Sequence, residues 1–217
     1  MAHMHITMDE ITPSRLMTLT DGVFAIAMTI LVLELHVPEI AAHLSSADLQ
    51  TALLVLFPKF ASYAISFAIL GIFWIGSHNL MHFIERVDRT FLWFNIVFLM
   101  LLSLIPFSAA LLGNYGQYRI AIILYGINLI LIGLVLFLAW RYATRNRYLV
   151  DAHLSDKFIR AVELLILKAP LAYFIAILFS FYSPAISLLI YALVPLYYIF
   201  STVLNRQAPW EDEHEKD

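Results

Sequence analysis

The sequence predicts an all-α integral membrane protein, and three observations carry that reading. Of 217 residues, 62% are hydrophobic and only 13% charged, with a mean hydropathy of +0.83. A soluble domain of this length has too little interior to hide so much apolar surface, so the bilayer is the natural solvent. Six stretches then have the roughly 20 mostly apolar residues that cross about 30 Å of hydrocarbon at 1.5 Å per residue. None of them shows long period-2 alternation, which selects helices over a barrel.

Taken in order, the predicted spans cover about 16–36, 59–84, 91–112, 120–140, 161–181 and 185–204. The second has an apolar approach that reaches back to about Leu53. Tyr182 to Pro184, "YSP", is a turn signal that parts the last two. Pro106, Pro170 and Pro195 are isolated inside spans and read as kinks. Residues 208–217 form a charged polar tail. The opening "MAHM" has the look of a cloning scar, so His3 and His5 carry no weight, and no cleavable signal peptide is visible.

Orientation follows from the basic residues. The 83–90 loop holds Arg86 and Arg89, and the 141–160 loop holds Arg141, Arg145, Arg147, Lys157 and Arg160. The 37–51 loop and the 182–184 turn have neither Lys nor Arg, and the 113–119 loop has only Arg119. Positive loops stay in the cytoplasm, so both termini are expected inside. There are no cysteines, which removes disulfides and thiolate chemistry. Tight loops and no soluble module leave little room for an enzyme site. No inverted repeat relates the two halves, which weighs against alternating access.

Ionisable groups at membrane depth are costly and therefore candidates for function. Asp21 lies about a turn and a half into the first span, six residues after Arg15. That spacing does not align on one helix face. In the second span Trp74 and His78 stand at i,i+4 and offer ring N–H donors to a carboxylate. His78 and His82 repeat that spacing, which is half a metal site with no third ligand evident. Asn95 in the third span needs a partner in a bilayer, and it sits near the same end as Asp21 and His78. A buried polar network holding helix 1 is the reading preferred for these residues. Lys59 is expected to snorkel, Glu34 and His36 to be solvated at the outer face, and Asn128 to bond across helices. Lys168, about two turns into the fifth span, is harder to place.

Beyond Asp21, Ile26, Ile30 and Leu33 fall at i, i+4, i+7, with Thr29 beside them. Spacing alone leaves this stripe open, because any core helix has one.

"RLMTLTDGVFAIAMTILVLEL" resembles the R-x-x-x-F-S-D signature and following apolar helix of the bacterial relatives of the lysosomal potassium channel, the transmembrane protein 175 family. Arg15, Asp21 and Glu34 match, while Leu19 and Thr20 replace the Phe and Ser. Trp74 and His78 look like the family's W-x-x-x-H, and "FLWFNIVFLMLLSLIPFSA" is similar to its third helix. Helices 4–6 agree mainly in number and spacing. The resemblance implies a homotetramer in the plasma membrane whose central pore is lined by helix 1 from each subunit. It implies constriction by Ile26, Ile30 and Leu33, a potassium preference from Thr29, and a helix-anchoring network of Arg15, Asp21, Trp74 and His78, to which Asn95 is added. It brings no TVGYG filter, and this chain has none. The expected function is a potassium-permeable cation channel with monovalent cations, lipid and its own copies as partners. No cofactor, metal or nucleic acid is expected. The alternative is a secondary transporter or proton-coupled permease that uses Asp21 and His78 as a relay.

Overall fold

The computed structural model describes residues 12–37 and 46–204. The charged tail and the opening "MAHM" lie outside them. Eight α-helices follow in order: α1 Pro13–Leu33, α2 Ser46–Val55, α3 Phe57–Met81, α4 Arg89–Ser103, α5 Ile105–Tyr115, α6 Arg119–Thr144, α7 Asp156–Phe179 and α8 Pro184–Leu204. Among the described residues, with α4 and α5 counted as one kinked span, five helical segments are long and apolar enough to cross a membrane, and α8 is a further apolar helix.

Proline sets the breaks. The chain turns at Leu56, so α2 and α3 are separate helices, and Pro58 occupies the first turn of α3. The expected extension of the second span back to Leu53 is therefore a separate short helix. The third span, expected as one helix over 91–112, is broken at Leu104 because Pro106 sits in the first turn of α5. Proline has no N–H to give to the carbonyl four residues back, and its ring crowds that carbonyl. Pro170, by contrast, lies inside an unbroken α7.

Side chains cap the starts of α4 and α7. Asp88 caps α4 by accepting from the Phe91 N–H at 2.8 Å, and its second oxygen accepts from the Tyr142 hydroxyl at 2.6 Å. Ser155 caps α7 through the Phe158 N–H. Ile84 and Val150 pair as an isolated antiparallel bridge that clips the α3–α4 loop to the α6–α7 loop. Phe91, Trp140, Phe158 and Leu16 pack into one apolar cluster with these loops.

The second and larger cluster fills the membrane-depth core, with Phe24, Leu31, Leu70, Leu102, Tyr125 and Tyr191 among its members. Several polar groups inside it pair across helices, although Asn128 Oδ1 is buried without a partner among the described residues. Ser66 shares a 2.8 Å hydrogen bond with Tyr125, and the Tyr191 hydroxyl donates to the Ile122 carbonyl at 3.0 Å. Asn128 of α6 donates to Ser108 of α5 at 3.2 Å, the cross-helix bond expected of it.

Close packing around α6 needs glycine. A Cβ at Gly126 would run into the Tyr191 hydroxyl and the Ile177 side chain, whereas one at Gly71 would meet nothing within 4 Å. Overpacking of this kind costs about 1–3 kcal/mol, while glycine to alanine at an open helical site gains up to about 1 kcal/mol. Gly126→Ala should therefore lower the melting temperature of the purified protein, and Gly71→Ala should leave it unchanged or raise it, as read by thermal unfolding in detergent.

Candidate functional site

The candidate site is α1 and the side chains that hold it. Its apolar residues divide into two faces. Phe24 and Leu31 are 1% exposed and Ala27 3%, all in the core against α3, α4 and α5. The opposite face carries Ile26 at 60% and Leu33 at 67% exposure, with Ile30 and Thr29 between them. The stripe found by spacing is thus the face that this chain leaves uncovered.

Thr29 is set in a particular way. Its hydroxyl donates to its own helix, to the carbonyls of Ala25 at 3.0 Å and Ile26 at 2.8 Å. The proton is spent inward, so the oxygen lone pairs remain as an acceptor on the exposed face.

Near the start of α1, two adjacent residues reach two different helices. Asp21 accepts from the indole Nε1 of Trp74 on α3 at 2.9 Å. Thr20, turned the other way and buried, exchanges hydrogen bonds with the side-chain amide of Asn95 on α4, at 3.2 and 3.4 Å. Thr20 and Asn95 also border a cavity of about 30 Å³ with Ser77, Phe98 and Trp140, room enough for water. One turn below these bonds, Leu16 is buried in the loop-side cluster. The helix is therefore held at three points on two faces, with Leu16 and Thr20 on one and Asp21 on the other.

The expected network is only partly joined. Trp74 meets Asp21, but His78 does not: its ring lies 5.6 Å from the Trp74 ring, and its Nε2 pairs with His82 Nε2 at 3.2 Å. Asn95 bonds to Thr20 and not to Asp21. Arg15 is exposed and lies within the regular helix, and among the described residues it makes no ion pair with Asp21. Asp21 itself is exposed in the single chain, where a buried position was expected. Six residues of helix turn Arg15 and Asp21 about 120° apart and separate them by about 9 Å along the axis, which is the physical reason they stay apart.

The histidine pair has a defined proton arrangement. His78 Nδ1 is buried without a hydrogen-bond partner, and a proton there would be an unpaired buried N–H costing about 1–3 kcal/mol. The proton is better placed on Nε2 of His78, donating to Nε2 of His82.

Sequence reasoning missed Thr20 as a partner in its own right. Its signal was present: a hydroxyl one position before Asp21 points about 100° away, toward a different neighbour.

The relatives decide what this geometry belongs to. The family model described as the endosomal/lysosomal potassium channel TMEM175 matches residues 15–106, which run from α1 into α5. A potassium channel of Streptomyces collinus is 30% identical over 193 residues, covering 87% of this chain and 92% of that one. The chain belongs to the TMEM175 family. A potassium channel of Chamaesiphon minutus is 31% identical over 191 residues, covering 85% of this chain and 92% of the relative. The crystal structure of a lysosomal potassium-selective channel TMEM175 homolog from Chamaesiphon minutus superposes with a TM-score of 0.77 at 29% identity, over 90% of this chain and 98% of that one. TMEM175 relatives are channels, not enzymes, and this member is a multi-pass membrane protein.

If Trp74 and Asp21 act as a pair, removing either should cost the same as removing both. A hydrogen bond to a charged group is worth about 1.5–3 kcal/mol when shielded from water. Thermal unfolding of Trp74→Phe, Asp21→Ala and the double variant should give a coupling of about 1 kcal/mol or more. Simple additivity would show that the contact carries no energy.

Proposed function

We propose that the chain is one subunit of a homotetrameric, potassium-permeable cation channel with six spans and both termini in the cytoplasm, resident in the plasma membrane. The observation that carries this reading is the uncovered face of α1. A helix that buries Phe24 and Leu31 while leaving Ile26, Ile30 and Leu33 bare has its second partner elsewhere. Four copies facing one another across an axis cover those residues, and family membership supports a channel over any other assembly.

In that arrangement the aliphatic rings form the gate. An ion in a ring of isoleucines loses its hydration shell and finds no replacement ligand, and water leaves such a constriction. The outward lone pairs of Thr29, one turn beyond Ile26, are the first oxygen atoms an ion would meet past that ring. Potassium sheds water more cheaply than sodium, so partial dehydration over a threonine ring gives a modest potassium preference without a cage of carbonyls. Asp21 and Thr20 hold the helix in rotation rather than contact the ion.

Recording from purified protein in planar bilayers under potassium/sodium bi-ionic conditions tests the proposal. A unitary current reversing on the potassium side is expected; flux that moves in fixed stoichiometry with protons would establish the transporter instead. Ile26→Asn should raise unitary conductance or leak, and an unchanged current would remove Ile26 from the gate. Thr29→Val, which keeps the shape and deletes the oxygen, should shift the bi-ionic reversal potential toward zero by more than it changes conductance. Asp21→Ala should reduce the tetramer fraction by size exclusion while leaving ion preference intact.

A further inference from the structure

The fifth predicted span left Lys168 without a role, and the structure makes it more conspicuous. Lys168 is exposed on α7, and the residues flanking it on that face, Leu164 and Leu171, are exposed large hydrophobics. This is an exposed apolar surface of the single chain with one cation in it. Counting back about 20 residues from the end of α7 at Ser180 places Arg160 at the edge of the hydrocarbon. Lys168 then lies about 12 Å further in along the axis, more than a lysine stem covers by snorkelling.

Among the described residues no ion pair neutralises it. Among the described residues, the nearest carboxylates along α7 are already engaged. Asp156 pairs with Arg147 at 2.6 Å, and Glu163 faces Arg141 at 3.9 Å. Lys157, Arg160 and Lys168 are left uncompensated. Lys157 and Lys168 are eleven residues apart, three turns, and so lie within about 20° of each other around the helix, with Arg160 flanking them toward α6. The stripe runs from the water-side end of α7 into the apolar zone, cation, leucine, cation.

We propose that Lys157, Arg160 and Lys168 bind the phosphate headgroup of an anionic phospholipid, drawn inward along α7 until Lys168 reaches it. Charge selects the ligand class: three cations with no acid of their own match an anionic headgroup and give a zwitterionic one no advantage. The depth of Lys168 distinguishes the site from general attraction of basic loops to a charged surface. The acyl chains of the same lipid continue past Lys168 along Leu171 and Ile175, both exposed. The site stands apart from α1 and does not depend on ion conduction.

The test is native mass spectrometry of the intact protein released from detergent micelles doped equally with phosphatidylglycerol and phosphatidylcholine of identical acyl chains. The wild type is expected to retain phosphatidylglycerol over phosphatidylcholine by about tenfold or more. Lys168→Leu, which continues the apolar surface and so should fold, is expected to lose that preference, while Lys168→Arg keeps it. Should the leucine variant not be recovered, Lys168→Gln gives the same reading. Lys59→Gln, a cation removed from a different helix, should bind as the wild type does. Equal retention of the two lipids by the wild type would overturn the proposal. So would an unchanged preference in Lys168→Leu with loss only in the Lys157→Gln, Arg160→Gln double variant, because that is surface attraction alone.

Discussion

The rest of the structure depends on how one helix is prevented from turning about its own axis. In a bilayer, apolar packing does little to choose a rotation, because lipid tails satisfy a leucine as well as a neighbouring helix does. Directional bonds are needed. Asp21 and Thr20 are adjacent in the chain and point about 100° apart, one to Trp74 on α3 and the other to Asn95 on α4. A rotation that shortens one bond lengthens the other. That pair converts a generic apolar helix into one with an inside and an outside, and the positions of Ile26, Thr29, Ile30 and Leu33 follow from it.

The spans were legible because their cause is local. Length and hydropathy report the thickness of the solvent, and the helices begin and end within a few residues of expectation. The α7 start was read five residues late, because Asp156, Lys157 and Arg160 look like loop while in fact forming the first turns beyond a serine cap. The short α2 was missed for the opposite reason. "SADLQTALLV" is too short and too mixed to be a span, and its separation from α3 rests on a bend at Leu56 that only Pro58 hints at.

The site was legible in membership more than in wiring. Trp74, Asp21 and Asn95 were singled out as polar groups that must find partners in lipid, and each has one. Which partner each takes is a tertiary matter. Arg15 and Asp21 suggest themselves as a pair by charge, yet their separation along one helix keeps them apart. His78 spends its Nε2 on His82, one turn away, in preference to the acid. The exposed face of α1 was visible as a stripe at i, i+4, i+7, but spacing alone does not say whether such a stripe meets the core or lies uncovered.

The loop-side clasp has a mechanical meaning. The Ile84–Val150 bridge ties the loop that joins α3 to α4 to the loop that joins α6 to α7, and the Asp88–Tyr142 bond ties the start of α4 to the end of α6. Those four helices therefore share a closed brace at one end. The first helix touches that brace through Leu16, seated in the apolar cluster and held by contact alone. A non-directional seat of this kind behaves as a ball joint: it resists withdrawal along the axis and permits tilt. The bundle is thus divided into a fixed frame and a single lever, pivoted at its foot and latched a turn above it.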